Sequence, residues 1–102
     1  MLELRPNCEW CDADLPPSAP HARICSYECT FCADCVDGPL AGVCPNCGGD
    51  CVPRPVRPAE SWRPGTGLEH HPASTERRRS GVPLEAHRAL VARIGGRPPE
   101  QR

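Results

Sequence analysis

Cys25-Ser26-Tyr27-Glu28-Cys29-Thr30-Phe31-Cys32-Ala33-Asp34-Cys35, followed shortly by Cys44-Pro45-Asn46-Cys47, decides how this chain folds. Upstream, Cys8-Glu9-Trp10-Cys11 adds another pair, and downstream Cys51 is a ninth cysteine. The first eight read C-x2-C-x13-C-x3-C-x2-C-x2-C-x8-C-x2-C. C-x-x-C suits zinc because a tight turn brings two thiolates to one tetrahedral ion at about 2.3 Å. One such pair is a weak signal. Four ordered pairs point to two closed four-thiolate sites, with Cys8, Cys11, Cys25, Cys29, Cys32, Cys35, Cys44 and Cys47 as the metal ligands and two Zn²⁺ ions as the cofactors.

Residues around the pairs agree. In Cys44-Pro45-Asn46-Cys47-Gly48-Gly49, which looks like a zinc knuckle, Pro45 fixes φ after the first ligand. Gly48 is free to turn left-handed and aim N–H groups at sulfur. Asp12, just after Cys11, takes the same place with more strain. Spacing leaves the pairing open. A sequential arrangement puts Cys8, Cys11, Cys25 and Cys29 on one ion and Cys32, Cys35, Cys44 and Cys47 on the other. An interleaved one groups Cys8 and Cys11 with Cys32 and Cys35, and Cys25 and Cys29 with Cys44 and Cys47.

Metal is expected over disulfides. The opening Met1–Asn7 shows no signal-peptide h-region, and no apolar run approaches the roughly 18 residues of a membrane span. The expected compartment is therefore the cytoplasm, where thiols stay reduced, and an odd cysteine count fits a disulfide framework poorly.

The stretch from Cys25 to Cys47 resembles the second half of a RING-type finger: a metal ligand, an aromatic one residue before the next cysteine, C-x-x-C, then C-P-x-C. One departure is Cys29, where most RING fingers carry His. The resemblance covers residues 8–47 and implies interleaved, cross-brace ligation. Leu2–Cys8, Leu15-Pro16-Pro17, Ala22–Ser26, Glu28–Cys35 and Cys44–Gly49 are similar, almost throughout, to a small bacterial family known as domain of unknown function 1272. Pro72–Arg77 resembles a stretch following that domain. This second resemblance implies a bacterial zinc-binding protein and supplies no activity.

Composition divides the 102 residues near position 52. All nine cysteines precede it, and ten of the twelve Arg follow it. Residues 1–52 hold two Arg against eight Asp and Glu, a formal −6; residues 53–102 hold ten Arg against five Glu, a formal +5. Head and tail should attract each other, or the tail a partner, over a Debye length of about 8 Å. A segment as short as the head buries too little apolar surface to fold by that means alone, so metal substitutes for a core.

The expected fold is thus a small, metal-dominated α+β module over residues 1–52, RING-like or treble-clef-like, with short strands, one of them at Leu2–Leu4. Residues 53–81 read as a Pro/Arg-rich flexible linker. Residues 82–96 read as a short amphipathic helix: Glu85 lies in the first turn, Arg93 near the end and Gly95 just past it. Leu84, Leu90 or Val91, and Ile94 share one face. So short a helix is marginal alone and forms when docked on the head or on a partner. Residues 97–102 should fray.

Four thiolates close a structural zinc site and leave no water position for hydrolysis, so no enzyme activity and no small-molecule substrate are expected. The function expected is an interaction module whose partner is another protein. A nucleic-acid-binding finger using Arg77-Arg78-Arg79 is the main alternative, although the head is acidic and lacks interleaved aromatics for base stacking. A thiolate redox sensor is a lesser one. Ubiquitin ligation, with Trp10 and Leu40 as the apolar contacts of a RING, is disfavoured by the bacterial resemblance. Cys51 reads as a spare cysteine, with a substitute metal ligand or a reactive thiol as the alternatives. His21, His70, His71 and His87 read as solvated, His87 on the tail helix. Trp62 is either an anchor for a partner or a contact folded back on the head.

Overall fold

The computed structural model describes residues 1–102. Strand β1 (Ala22–Ile24) pairs antiparallel with β2 (Thr30–Cys32) on one side and β3 (Val52–Pro53) on the other, giving the order β2-β1-β3. Ala22 and Ile24 point inward and Arg23 outward, the period-2 alternation of a half-buried strand. In the hairpin, Ala22 faces Cys32, Arg23 faces Phe31 and Ile24 faces Thr30. Glu28 makes the turn with φ of 67°.

Every residue of β2 is buried, because Glu9 covers its outer edge. The Glu9 N–H donates to the Thr30 carbonyl at 2.8 Å, and the Glu9 carboxylate accepts from the Thr30 N–H at 2.6 Å. Arg5 neutralises that buried carboxylate at 3.0 Å. Helix α1 (Ala33–Asp37) follows directly, with Cys32 as N-cap. It stops at Gly38, where a Cβ would stand 2.9 Å from the Asp34 carbonyl oxygen. Phe31, Leu15, Leu40, Val36, Ala19 and Ala22 form a small core together with the cysteines. The small α+β architecture expected for the head is present.

Leu2–Leu4 is not a strand. Its carbonyls are taken singly by the tail: Arg57 donates to the Leu2 carbonyl at 2.7 Å and Ser74 N–H to that of Leu4 at 3.0 Å. The backbone satisfies itself without a ladder, which removes the reason for a strand.

Residues 53–81, read from sequence as a flexible linker, lie along the head. Arg54 is the anchor. It is 5 % exposed and donates to the carbonyls of Arg5 (2.8 Å), Leu15 (3.3 Å) and Pro16 (2.9 Å). A guanidinium offers five donors in a fixed fork, so one side chain ties three separated carbonyls. Proline contributes by omission, having no N–H that needs a partner.

Helix α2 (Leu84–Ile94) forms within the expected segment and ends on Gly95, whose φ of 63° is left-handed and whose N–H returns to the Val91 carbonyl. It docks on the head through His87 and Ile94, both buried. His87 is not solvated as the sequence suggested: it is fully buried, its Nε2 sits 2.9 Å from the Leu40 carbonyl, and its ring lies 5.9 Å from that of Trp10. It occupies the middle of the Leu84–Ile94 face, three residues after Leu84 and three before Leu90. The last residues, expected to fray, form a 3-10 turn (Pro99–Gln101), and Arg102 reaches the Gly48 carbonyl at 3.1 Å. Trp62 is 76 % exposed. No helix is long and apolar enough to cross a membrane.

Candidate metal centre

Two turns of the same construction carry two of the thiol pairs. In the first, the Cys8 N–H donates to the Ala13 carbonyl and the Asp12 N–H to the Cys8 carbonyl, both at 2.8 Å. In the second, Cys44 N–H donates to Gly49 and Gly48 N–H to Cys44, again both at 2.8 Å. The residue after the second cysteine is left-handed in each: Asp12 at φ 67° and Gly48 at φ 78°. Gly48 adopts this at no steric cost, while a non-glycine residue is disfavoured by roughly 1–2 kcal/mol. Asp12 is held there by Asn7, which donates to its carboxylate at 2.9 Å, and by Arg77, also at 2.9 Å. These turns aim N–H groups at sulfur: Cys11 N–H at Cys8 Sγ (3.5 Å) and Gly49 N–H at Cys47 Sγ (3.4 Å). Such bonds favour the thiolate.

Cys32 and Cys35 come from the junction of β2 and α1, and they meet the first turn. The sulfurs of Cys8, Cys11, Cys32 and Cys35 all lie within 4.8 Å of one another. Cys11 Sγ and Cys32 Sγ are 3.8 Å apart. A tetrahedron with metal–sulfur bonds of about 2.3 Å has edges of about 3.8 Å, so the spacing fits a tetrahedral ion. It is far from a disulfide, which needs about 2.05 Å, and all nine cysteines are free thiols. The interleaved grouping is therefore the one this fold brings together.

At the second site, Cys25, Cys44 and Cys47 converge within the same 4.8 Å limit. Cys29 stands beside Cys25 at the base of the hairpin turn, where the Cys25 N–H donates to the Cys29 carbonyl at 3.1 Å. Its sulfur is outside the tight triplet. Each of the two cysteine groups has donors able to hold one metal ion.

The electrostatics fit a cation. Burial pushes the Cys25 thiol up to about 11. Burial likewise raises Cys29, Cys32, Cys35 and Cys47, and neighbouring sulfurs add to the rise. Cys44 is raised first by the neighbouring Cys51 thiol and then by burial. Cys11 alone is lowered: burial opposes this, but the Ala13 backbone and the neighbouring thiols outweigh it. Thiols crowded this way resist ionisation until a divalent cation joins them, and a coordinating thiol is then deprotonated outright.

The tail surrounds these sites. Arg77 grips Asp12 and Asp14 (2.6 Å), Arg79 donates to the Trp10 carbonyl at 3.0 Å, and Ser80 N–H donates to the Glu9 carbonyl at 2.8 Å. His21 and His70 are exposed and His71 is half-buried; none joins a cysteine group. Sequence reasoning missed Glu9, Arg54 and His87 as organising residues. No spacing marks them, since each acts through a main-chain group far away in sequence.

A family described as "Protein of unknown function (DUF1272)" matches residues 1–57. An uncharacterized protein of Rhizobium meliloti (strain 1021) is 58% identical over 77 residues, covering 76% of this chain and 84% of its own length. No solved structure matches.

Proposed function

This chain belongs to the family of proteins of unknown function DUF1272, and from its two thiol groups we propose that it is a zinc-binding interaction module, in which two structural Zn²⁺ ions hold a surface that binds another protein. Cys8, Cys11, Cys32 and Cys35 hold the first ion. Cys25, Cys44 and Cys47 hold the second, with Cys29 as the fourth ligand. The ligand order is RING-like, and the succession of cysteine turn, hairpin and helix is treble-clef-like. Four-thiolate ligation leaves no open coordination position, so the role of the metal is structural and the module is not an enzyme.

The observation that carries this reading is the convergence of four sulfurs from two segments more than twenty residues apart, at tetrahedral spacing. A protein partner is favoured over nucleic acid because Arg77, Arg78 and Arg79 are paired with Asp12, Asp14, Glu3 and Glu76. Phosphates would have to compete for them. Tyr27, Val56 and Trp62 are meanwhile exposed, and aromatic side chains are typical of protein interfaces.

Native mass spectrometry with elemental analysis of the purified chain tests the metal reading. Two zinc ions per chain are expected, with loss of structure on chelation. A metal-free chain that stays folded in strong chelator would end it. Titration with mixed single- and double-stranded nucleic acid tests the partner class. No binding at moderate salt is expected; a steep salt slope abolished by replacing Arg77, Arg78 and Arg79 would favour nucleic acid instead.

A further inference from the structure

The sheet surrounds Cys25 with sulfur on both sides. In the β1–β2 register Ile24 faces Thr30, so one step further Cys25 faces Cys29. In the β1–β3 register Ile24 faces Val52, so one step further Cys25 faces Cys51. Residues directly opposite on neighbouring antiparallel strands project from the same face, with Cβ atoms about 4.5–5.5 Å apart. Cys51 also packs against the buried cluster that contains Cys25, Cys29 and Cys44, and it is only partly exposed. The tight triplet of Cys25, Cys44 and Cys47 has three corners of a tetrahedron. The strand registers carry two further thiols, Cys29 and Cys51, to either side of Cys25.

We propose that Cys51 is a fifth sulfur of the second centre, competing with Cys29 for the fourth corner of the tetrahedron formed with Cys25, Cys44 and Cys47. The inference rests on the two-zinc reading above. In the exchange, the Cys51 thiol gives up its proton as its sulfur binds, and Cys29 takes up a proton as its sulfur leaves. Metal charge and ligand number are unchanged, and no electrons move. The first centre has no such reserve: its four thiols form a complete set.

Cadmium NMR of the full chain loaded with two equivalents of Cd²⁺ tests this. The first centre should give one sharp four-sulfur line. The second should give a doubled or exchange-broadened line that becomes one sharp line in C51S. A second-centre line identical in wild type and C51S overturns the proposal. Cobalt(II) absorption gives a second readout. C29S should retain two four-sulfur cobalt centres, and C29S/C51S should lose that signature at one of them. Loss of the four-sulfur signature in C29S alone, with C51S like wild type, also overturns it. Should C29S fail to fold, the cadmium comparison of wild type with C51S decides by itself. Fewer than two metal ions on the wild-type chain overturns both this proposal and the reading beneath it, whereas two ions with a C51S-insensitive line overturns this proposal alone.

Discussion

In residues 1–52 the long-range contacts converge on sulfur; in residues 53–102 they run from guanidinium groups to main-chain carbonyls and carboxylates. The head gathers seven thiols from four short segments around two points, with Cys29 beside the second. The tail lies over it through Arg54, Arg57 and Arg77, together with one buried histidine. The two chemistries differ in strength and in range. Metal–thiolate bonds are short and all-or-none, so a head built on them should fold as a unit. Hydrogen bonds from arginine are individually worth about 0.5–3 kcal/mol, so the tail should be removable in pieces.

Metal removal should break the comparison most deeply. Structural zinc supplies about 10–16 kcal/mol of apparent folding free energy per ion in finger peptides at neutral pH. Chelation, or Cys35→Ser at the first centre, should abolish cooperative unfolding, as followed by circular dichroism and native mass spectrometry. The tail should come away with the head, since its carbonyl partners at Arg5, Leu15 and Leu40 are all there.

Acid should do the same by another route. The raised thiols, Cys25 at about 11 among them, hold their protons more tightly in the metal-free fold than the ordinary value of 9.0. Metal must displace those protons, so binding releases them and apparent affinity climbs with pH. As pH falls, protons win and the loaded form loses stability. Melting temperatures of the metal-loaded protein should therefore fall as pH drops, and calorimetry in two buffers should register protons released as metal binds.

Arg54→Ala should separate the two regions. It leaves three carbonyls without their donor, and a buried unsatisfied group costs about 1–3 kcal/mol. A loss of roughly 3 kcal/mol in the loaded protein is expected, with two metal ions still bound. His87→Ala should cost less, about 2 kcal/mol, by removing one buried hydrogen bond and the contact with Trp10. Because an eleven-residue helix is marginal alone, helical circular dichroism should fall while metal content stays. Arg77→Gln should have the smallest effect. Its pairs are exposed, and salt should loosen them in wild type to the same end. Faster hydrogen exchange at the Ser80 amide, with no change in melting, is the expected result.

The head was legible because cysteine spacing is a local code. Pairs three or four positions apart show which thiols can share a turn, and Gly48 and Asp12 mark the left-handed residue that follows. α2 was legible for a similar reason, since its boundaries lie in Pro83 and Gly95. The interleaving was expected from a resemblance and not from spacing, which allowed both arrangements. The docked course of residues 53–81 was not legible. Proline and arginine make the same pattern in a segment free in solvent as in one pinned to a surface, and the carbonyls that pin it belong to residues about fifty positions away.

What the chain of letters determined by itself was the identity of the sulfurs, their local pairs and the one long helix, because each depends on residues within a few positions of one another. Only the three-dimensional arrangement decided which pairs meet, that the registers of β1 lead Cys25 toward Cys29 on one side and Cys51 on the other, and that Arg54 and His87 fasten the tail. Those outcomes depend on strand register and on main-chain oxygens, which every residue has and no residue type announces.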